Sequence, residues 1–534
     1  MGLVRTPKHT QTPLQTLTNE SHTTAGARRF GLFHLVCLTV FAALALATIA
    51  HHELWRDEIQ HWSIAVASNS IPDIFENLQY ENSPALWHLL LYGITRITHD
   101  PAAMQALHLV LAAAAAAVFL IWSPFSRLQR ALFIFGYFSI YEYCAISRHY
   151  VLGSLLLFGF LALHPWTGRR AYGAAVLLFL VAQTSLFGLM IALGGAAAMI
   201  VRRLGDGGAA ALRNRHLVGA MVIVAAGGLW SIIQILPEED CILHPAWDFV
   251  NTTRLFQAGT TFWRTLVPLP QFQTIHFWNT NVLDTFPMLH RAEDMPSLLA
   301  QGVLALALLV ASCLYLRKRA DALVFFLIIA GLCGMLFYVK KLGYLRHHGH
   351  LYLAWIGALW IYWAHVRRSA QTSTSGTGQG RFFPALVTVI LAVHVVAGLY
   401  ACVMDIRYPF SPNKAAAEWV ASNGHRNDLL VAPTAVGYFL DREVYVAPAW
   451  SLRRFDIWRT PWRMPDDEEL VKVARERRDK SGKPVLIVWE SKLDFPGADQ
   501  QIRELTQFTD VINVHEQYHV YSLLAEQVMT AAHP

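Results

Sequence analysis

Stretches of about twenty residues without a charged side chain decide what this chain can fold into. Residues 31–50 and 102–122 contain no Asp, Glu, Lys or Arg. Each is long enough, as a helix, to cross about 30 Å of hydrocarbon. Further apolar runs read at 131–146, 149–164, 171–186, 187–201, 217–236, 298–316, 321–339, 349–365 and 382–402. Only 15% of the 534 residues are charged, against about 25% in soluble globular proteins. A single soluble core is excluded, and the chain reads as a mainly α, polytopic membrane bundle of about 11 transmembrane helices.

If all eleven runs span, alternate connections lie on opposite sides, and the basic residues choose the orientation. The connections 1–30, 123–130, 165–172, 202–216, 317–319 and 366–381 hold 18 Lys plus Arg in 80 residues, whereas 51–100, 143–149, 185–190, 237–297 and 340–348 hold 9 in 133. This predicts a cytoplasmic N-terminus and a C-terminus on the other face. The net charge of +6 thus follows the membrane and does not indicate a nucleic-acid partner. A polar tail, 1–30, precedes the first run, whose length suits a signal anchor better than a cleaved signal peptide. Six cysteines lack CxxC spacing and suggest neither a zinc site nor a disulfide framework.

Two connections on the expected outer face are long, 51–101 and 237–297. Within the first, Ser83 to Ile94 opens with Pro84 in the first helical turn and runs apolar for about three turns. It reads as an amphipathic helix at the outer interface, since a further span would put Arg169, Arg170 and the basic residues of 202–215 outside. The second carries Trp247, Trp263 and Trp278, which suit a saccharide-facing surface or an interfacial aromatic belt. After 402, Pro409-Phe410-Ser411-Pro412 marks a linker. Residues 413–422 and 466–480 read as helices and 429–432 and 485–489 as buried strands, so 403–534 is expected to form a small extracytoplasmic α/β domain.

Two groups of residues could carry chemistry. His51-His52-Glu53-Leu54-Trp55-Arg56-Asp57-Glu58 places two adjacent carboxylates beside an arginine just after the first span. Adjacent side chains diverge by about 100° in a helix, so one can face a substrate while the other braces the loop. An ordinary charged membrane exit is the alternative reading. The second group, Lys340, Lys341, Arg346, His347 and His348, breaks the charge distribution by placing cations on the sparsely basic side. Phosphate binding or attraction to anionic head groups accounts for it. His51, His52 and His61 near Glu53 and Asp57 have the chemistry to take a divalent metal, but no HxxxH spacing supports one, and no metal ligand is assigned.

Several of these elements together resemble the GT-C superfamily of membrane glycosyltransferases, which includes protein O-mannosyltransferases and lipid A aminoarabinose transferases. The resemblance rests on a first span ending in Trp55-Arg56-Asp57-Glu58, on Ser83-Pro84-Ala85-Leu86-Trp87-His88, on a second span after Asp100-Pro101, and on Arg148-His149-Tyr150 opening a later span. The C-terminal domain with Ala415-Ala416-Ala417-Glu418-Trp419 also fits. Many members have His-Pro-Pro where this chain has Asn82-Ser83-Pro84. The resemblance implies an inverting transfer of sugar from a polyprenyl-phosphate donor to a glycan, lipid or protein acceptor at the outer face of a bacterial plasma membrane. It implies Asp57 as catalytic base with Glu58 beside it. Arg148, Lys340, Lys341, Arg346, His347 and His348 would hold the donor phosphate, and Trp55, Arg56, Glu81 and His88 would contact substrate. Some members use a divalent metal. The other classes open to such a chain are a transporter or flippase of a lipid-linked substrate, expected to show internal repeats and mid-membrane charges, and a membrane-anchored sensor or assembly protein.

Overall fold

The computed structural model describes residues 30–242, 252–285, 295–340, 342–372, 382–459 and 463–524. The membrane portion contains α1 (Leu32–Ile49), α2 (Arg56–Ala67), α3 (Ile71–Asn77), α4 (Leu86–Thr95), α5 (Ala102–Trp122), α6 (Arg127–Ile134), α7 (Tyr150–Ala162), α8 (Arg170–Ala182), α9 (Leu186–Gly207), α10 (Arg215–Ile235), α11 (Thr252–Leu266), α12 (Met295–Leu316), α13 (Ala320–Val339), α14 (Leu345–Thr372) and α15 (Phe382–Arg407). Seven of these, α1, α5, α9, α10, α12, α13 and α15, are long and apolar enough to cross a membrane. The chain is a multi-pass helical membrane protein.

Helix starts follow local chemistry. Ser126 caps α6 in a reciprocal pair with Gln129, Ser185 accepts from the Gly188 N–H at the start of α9, and Asn214 caps α10. These side chains satisfy amide donors that a helix leaves unpaired. α14 is the central helix. Leu351 to Tyr362 are buried on every side of it, whereas α10 and α12 leave rows of Val and Leu exposed, as lipid-facing helices do.

One apolar run departs from the expected single helix. Residues 131–146 break into α6 and a π-helical turn, Phe138–Glu142. Close packing against α15 accounts for the break. At Gly398, a Cβ would meet the Phe135 carbonyl at 2.9 Å and the Tyr137 nitrogen at 3.0 Å. A wider turn re-aims the side chains that follow, and such turns occur often at functional sites. α7 and α8 are also short, at 13 residues each, or about 20 Å of helix.

The C-terminal unit contains α16 (Asn413–Ser422), β1 (Leu429–Val431), α17 (Thr434–Phe439), β2 (Val444–Val446), β3 (Ser451–Arg453), α18 (Asp467–Ser481), β4 (Val485–Trp489), α19 (Ala498–Gln501), β5 (Ile502–Phe508) and β6 (Tyr518–Leu523). They form one sheet in the order β3-β2-β1-β4-β6-β5. β2, β1 and β4 are parallel, with Leu429 opposite Val485 and Val431 opposite Ile487, and the flanking strands are antiparallel. β1 and the first four residues of β4 are buried, as parallel strands covered on both faces require.

This unit sits directly on α2. Gln60 donates to the Asp456 carbonyl at 2.8 Å and accepts from the Asp456 N–H at 2.8 Å. Trp62 Nε1 donates to the Tyr438 hydroxyl at 2.8 Å, which donates to the His99 carbonyl at 2.9 Å. The helix carrying the two adjacent carboxylates is therefore held between bundle and sheet.

Candidate active site

The turn before α2 separates its charged residues. Asp57 accepts from Arg148 Nη1 at 2.6 Å and from Arg346 Nη2 at 3.2 Å, both on Oδ2. Arg148 lies just before α7 and Arg346 in the first turn of α14, so three distant parts of the chain meet at one carboxylate. The Asp57 side chain is 25% exposed, while those of Arg148 and Arg346 are 10% and 6% exposed. Burial alone would raise the Asp57 carboxyl, but Arg148, Arg346 and Arg56 outweigh it and hold the group well below the usual carboxylate range. Two guanidiniums facing one carboxylate leave a surplus positive charge. Arg346 Nε and Nη1 and Arg148 Nε are buried with no hydrogen-bond partner among the described residues.

Glu58 faces the other way and is fully buried. It accepts from the Ser147 N–H, from His52 Nε2 at 3.0 Å and from its own helix cap, the Trp55 N–H, at 3.3 Å. His52 Nδ1 bonds Asp405 at 2.8 Å. Burial lowers the imidazole, but the two carboxylates overcome it and hold His52 protonated well above its ordinary value. Glu58 thus ties α2 to the segment carrying Arg148 and to α15.

Aromatic rings form the wall around Arg346. Its guanidinium lies 4.8 Å from the Trp55 ring, 4.8 Å from Tyr344 and 5.5 Å from Trp278. Trp55 and Trp278 meet edge to face at 5.2 Å, and Phe410 packs on Trp278 at 5.0 Å. Trp278 donates from Nε1 to Glu142 at 3.0 Å, as does the Tyr137 hydroxyl at 2.7 Å. The loop after α11 is held by Arg264, which grips both oxygens of Asp284 at 2.6 and 2.9 Å and donates to the Asn279 carbonyl at 2.9 Å. Asn279 Oδ1 then accepts from the Leu345 N–H at 3.0 Å. The Tyr143 hydroxyl donates to the Arg346 carbonyl at 2.7 Å. Arg346 is fixed from two sides of its backbone, which keeps its fork aimed at Asp57.

The other expected residues spread around this centre. Arg56 points to the C-terminal unit, where Nη1 pairs with Glu490 at 2.8 Å and the backbone N–H bonds Glu516 at 2.9 Å. Glu81 accepts from Gln60 at 2.6 Å, and burial, with Asp57 and Asp456 adding to it, pushes it up to about 7. His88 is buried against His61, with ring nitrogens 2.7 Å apart. Lys340 is half-buried at the end of α13, where its carbonyl accepts from Arg254. Lys341 lies outside the described residues. His347 accepts from the Tyr344 N–H at 2.9 Å, and His348 bonds the Leu342 carbonyl at 2.8 Å. Both imidazoles thus bind the segment that leads into α14 and Arg346. His51 bonds the Ala47 carbonyl, so His51, His52 and His61 have separate partners. Among the described residues no group of three His, Cys, Asp or Glu side chains is placed to hold a metal ion.

Sequence reading missed Glu142, Asp405, Asp456, Glu490 and Glu516. Glu142 and Asp405 did carry a signal, as carboxylates in or beside apolar runs, where a charge is costly and usually functional. The other three lie far from the first loop in sequence and are placed there by the sheet.

Over most of its length the chain is similar to two crystal structures of ArnT from Cupriavidus metallidurans. The apo structure aligns at 12% identity and a TM-score of 0.46, covering 91% of this chain and 98% of that one. The undecaprenyl phosphate-bound structure aligns at 12% identity and a TM-score of 0.48, covering 92% and 98%. No protein-family profile and no curated protein matches the sequence.

Proposed function

We propose that the protein is an inverting membrane glycosyltransferase that takes sugar from a polyprenyl-phosphate donor at the outer face of a bacterial plasma membrane. The observation that carries this reading is the convergence of Arg148 and Arg346 on Asp57, because it joins an anion-binding pair to a carboxylate base. The surplus charge and the unpartnered donors of Arg346 suit a phosphate, which accepts forked arginine bonds better than any neutral group. The acceptor hydroxyl attacks the anomeric carbon, the bond from that carbon to the phosphate oxygen breaks, and the hydroxyl proton passes to Asp57. The lipid phosphate leaves as a stable anion, so no general acid is required.

The two arginines also explain how so acidic a carboxylate serves as a base. While they pair with Asp57 its proton affinity is low. An entering phosphate shares their donors, weakens that pairing and returns basicity to Asp57 when the donor is in place. Glu58, turned into the His52 and Ser147 network, positions the helix. Sugar transfer measured in membranes tests the reading. Asp57→Asn is expected to lower kcat by roughly 100- to 10,000-fold at normal protein level. Near-wild-type turnover would remove Asp57 as the base.

A further inference from the structure

A cavity beside α2 has chemistry opposite to that of the arginine pair. It offers about 80 Å³ between α2 and the sheet, lined by Arg56, Asp456, Trp458, Met464, Trp489 and Glu490, which is room for roughly five to eight waters and so for a ligand no larger than about one sugar ring. Its place in the fold is informative. Ala432 and Pro433 follow β1, Val446 ends β2, and Trp489 and Glu490 end and follow β4. The cavity thus opens at the carboxyl ends of the three parallel strands. β1 is flanked by β2 on one side and β4 on the other, so the chain runs outward from β1 through β2 and β3 and then crosses back to the opposite side of β1 as β4. In open α/β sheets, such a reversal of strand order leaves a crevice that binds ligands.

The lining defines the ligand. Asp456 and Glu490 outnumber Arg56, which already pairs with Glu490 at 2.8 Å, so a phosphate or carboxylate is repelled. Carboxylates accept hydrogen bonds from hydroxyl or ammonium groups. The half-buried indoles of Trp458 and Trp489 offer flat apolar faces to the C–H side of a pyranose ring and attract a cation over the ring. Burial raises both carboxyls above their ordinary values, an environment eased by bound hydroxyl or ammonium donors. Asp57 lies near enough to Asp456 for its charge to help raise that carboxyl, so a sugar on this wall brings a hydroxyl toward the base.

We propose that this cavity is the acceptor subsite and binds a neutral or amino-bearing pyranose, while anionic groups are confined to the arginine pair. The proposal rests on the glycosyltransferase reading for its role, but binding can be measured without turnover. The full-length protein in nanodiscs is examined by saturation-transfer difference NMR with methyl β-D-glucopyranoside, glucosamine and glucuronate. The first two are expected to show saturation, and glucuronate at least fivefold less. Trp489→Ala and Glu490→Gln should each reduce the glucopyranoside signal at least fivefold, Trp489→Phe should retain most of it, and Asp57→Asn should leave it intact. Melting of each variant identifies misfolding, and if Trp489→Ala does not fold, Glu490→Gln decides. Equal saturation by glucuronate, no signal above empty nanodiscs, or an undiminished signal in folded Glu490→Gln would overturn the subsite. Intact sugar binding with transfer indifferent to Asp57 would instead overturn the transferase mechanism alone.

Discussion

Arg346 makes one bond to Asp57 and keeps two further donors unpartnered among the described residues, in a wall of three aromatic rings. A planar fork can do both, whereas an ammonium acts as a point charge. A charge-assisted hydrogen bond contributes about 1.5–3 kcal/mol, so Arg346→Ala should raise the donor KM roughly 10- to 100-fold. Arg346→Lys should recover only part of that loss, with kcat changed much less. Unchanged donor KM in both would take Arg346 out of the phosphate site. Glu58 should behave differently. Its carboxylate is fully buried and bonds two backbone amides and His52, and breaking a buried charge pair costs about 3–5 kcal/mol. Glu58→Gln should therefore lower the melting temperature or membrane protein level before it alters chemistry. A stable variant with lost turnover would place Glu58 in the reaction.

At the scale of elements, α14 must approach the π-helical turn closely for Arg346 to reach α2. A Cβ at Gly349 would lie 2.3 Å from the Tyr143 hydroxyl and 2.6 Å from the Phe138 ring. That hydroxyl holds the Arg346 carbonyl. Gly349→Ala should force the turn and helix apart, at about 1–3 kcal/mol for overpacking, and raise the donor KM although residue 349 touches no substrate. Melting and donor kinetics on one preparation check this. Wild-type values in both would mean that Tyr143 moves aside without disturbing Arg346.

At the scale of the whole molecule, the bundle and the sheet share buried acids. Glu516 is fully buried, accepts from the Ser411 hydroxyl at 2.6 Å and from the Arg56 N–H, and is pushed by burial from 4.5 up to about 7 despite Arg56. Its folded value exceeds its unfolded one, so the folded protein binds more protons between those values. The associated stability is present below about pH 4.5 and is lost as pH rises through about 7, amounting to roughly 3 kcal/mol for this group. The melting temperature should fall from pH 5.5 to 8, and Glu516→Gln should flatten that fall. An unaltered pH dependence in the variant would show that Glu516 does not titrate there.

The class of protein was legible in the sequence because hydrophobic length and charge are local quantities. Ten of the eleven apolar runs each correspond to one helix, and β1 and β4 lie on the two buried-strand patterns. Asp57 and Arg346 were conspicuous as charges beside membrane runs. The break at Gly136 to Glu142 was not, because it answers to the close approach of Gly398 on α15, a contact across more than 250 residues of chain. Nor could sequence divide the work between Asp57 and Glu58, or separate Arg346 from the neighbouring histidines. Those assignments depend on which way each side chain points from a helix whose rotation is set by Gln60, Glu58 and the sheet above. Sequence by itself determined that lipid is the solvent for most of this chain. Only the tertiary structure decided which charges meet, because bringing oppositely charged groups together from distant segments is a property of packing.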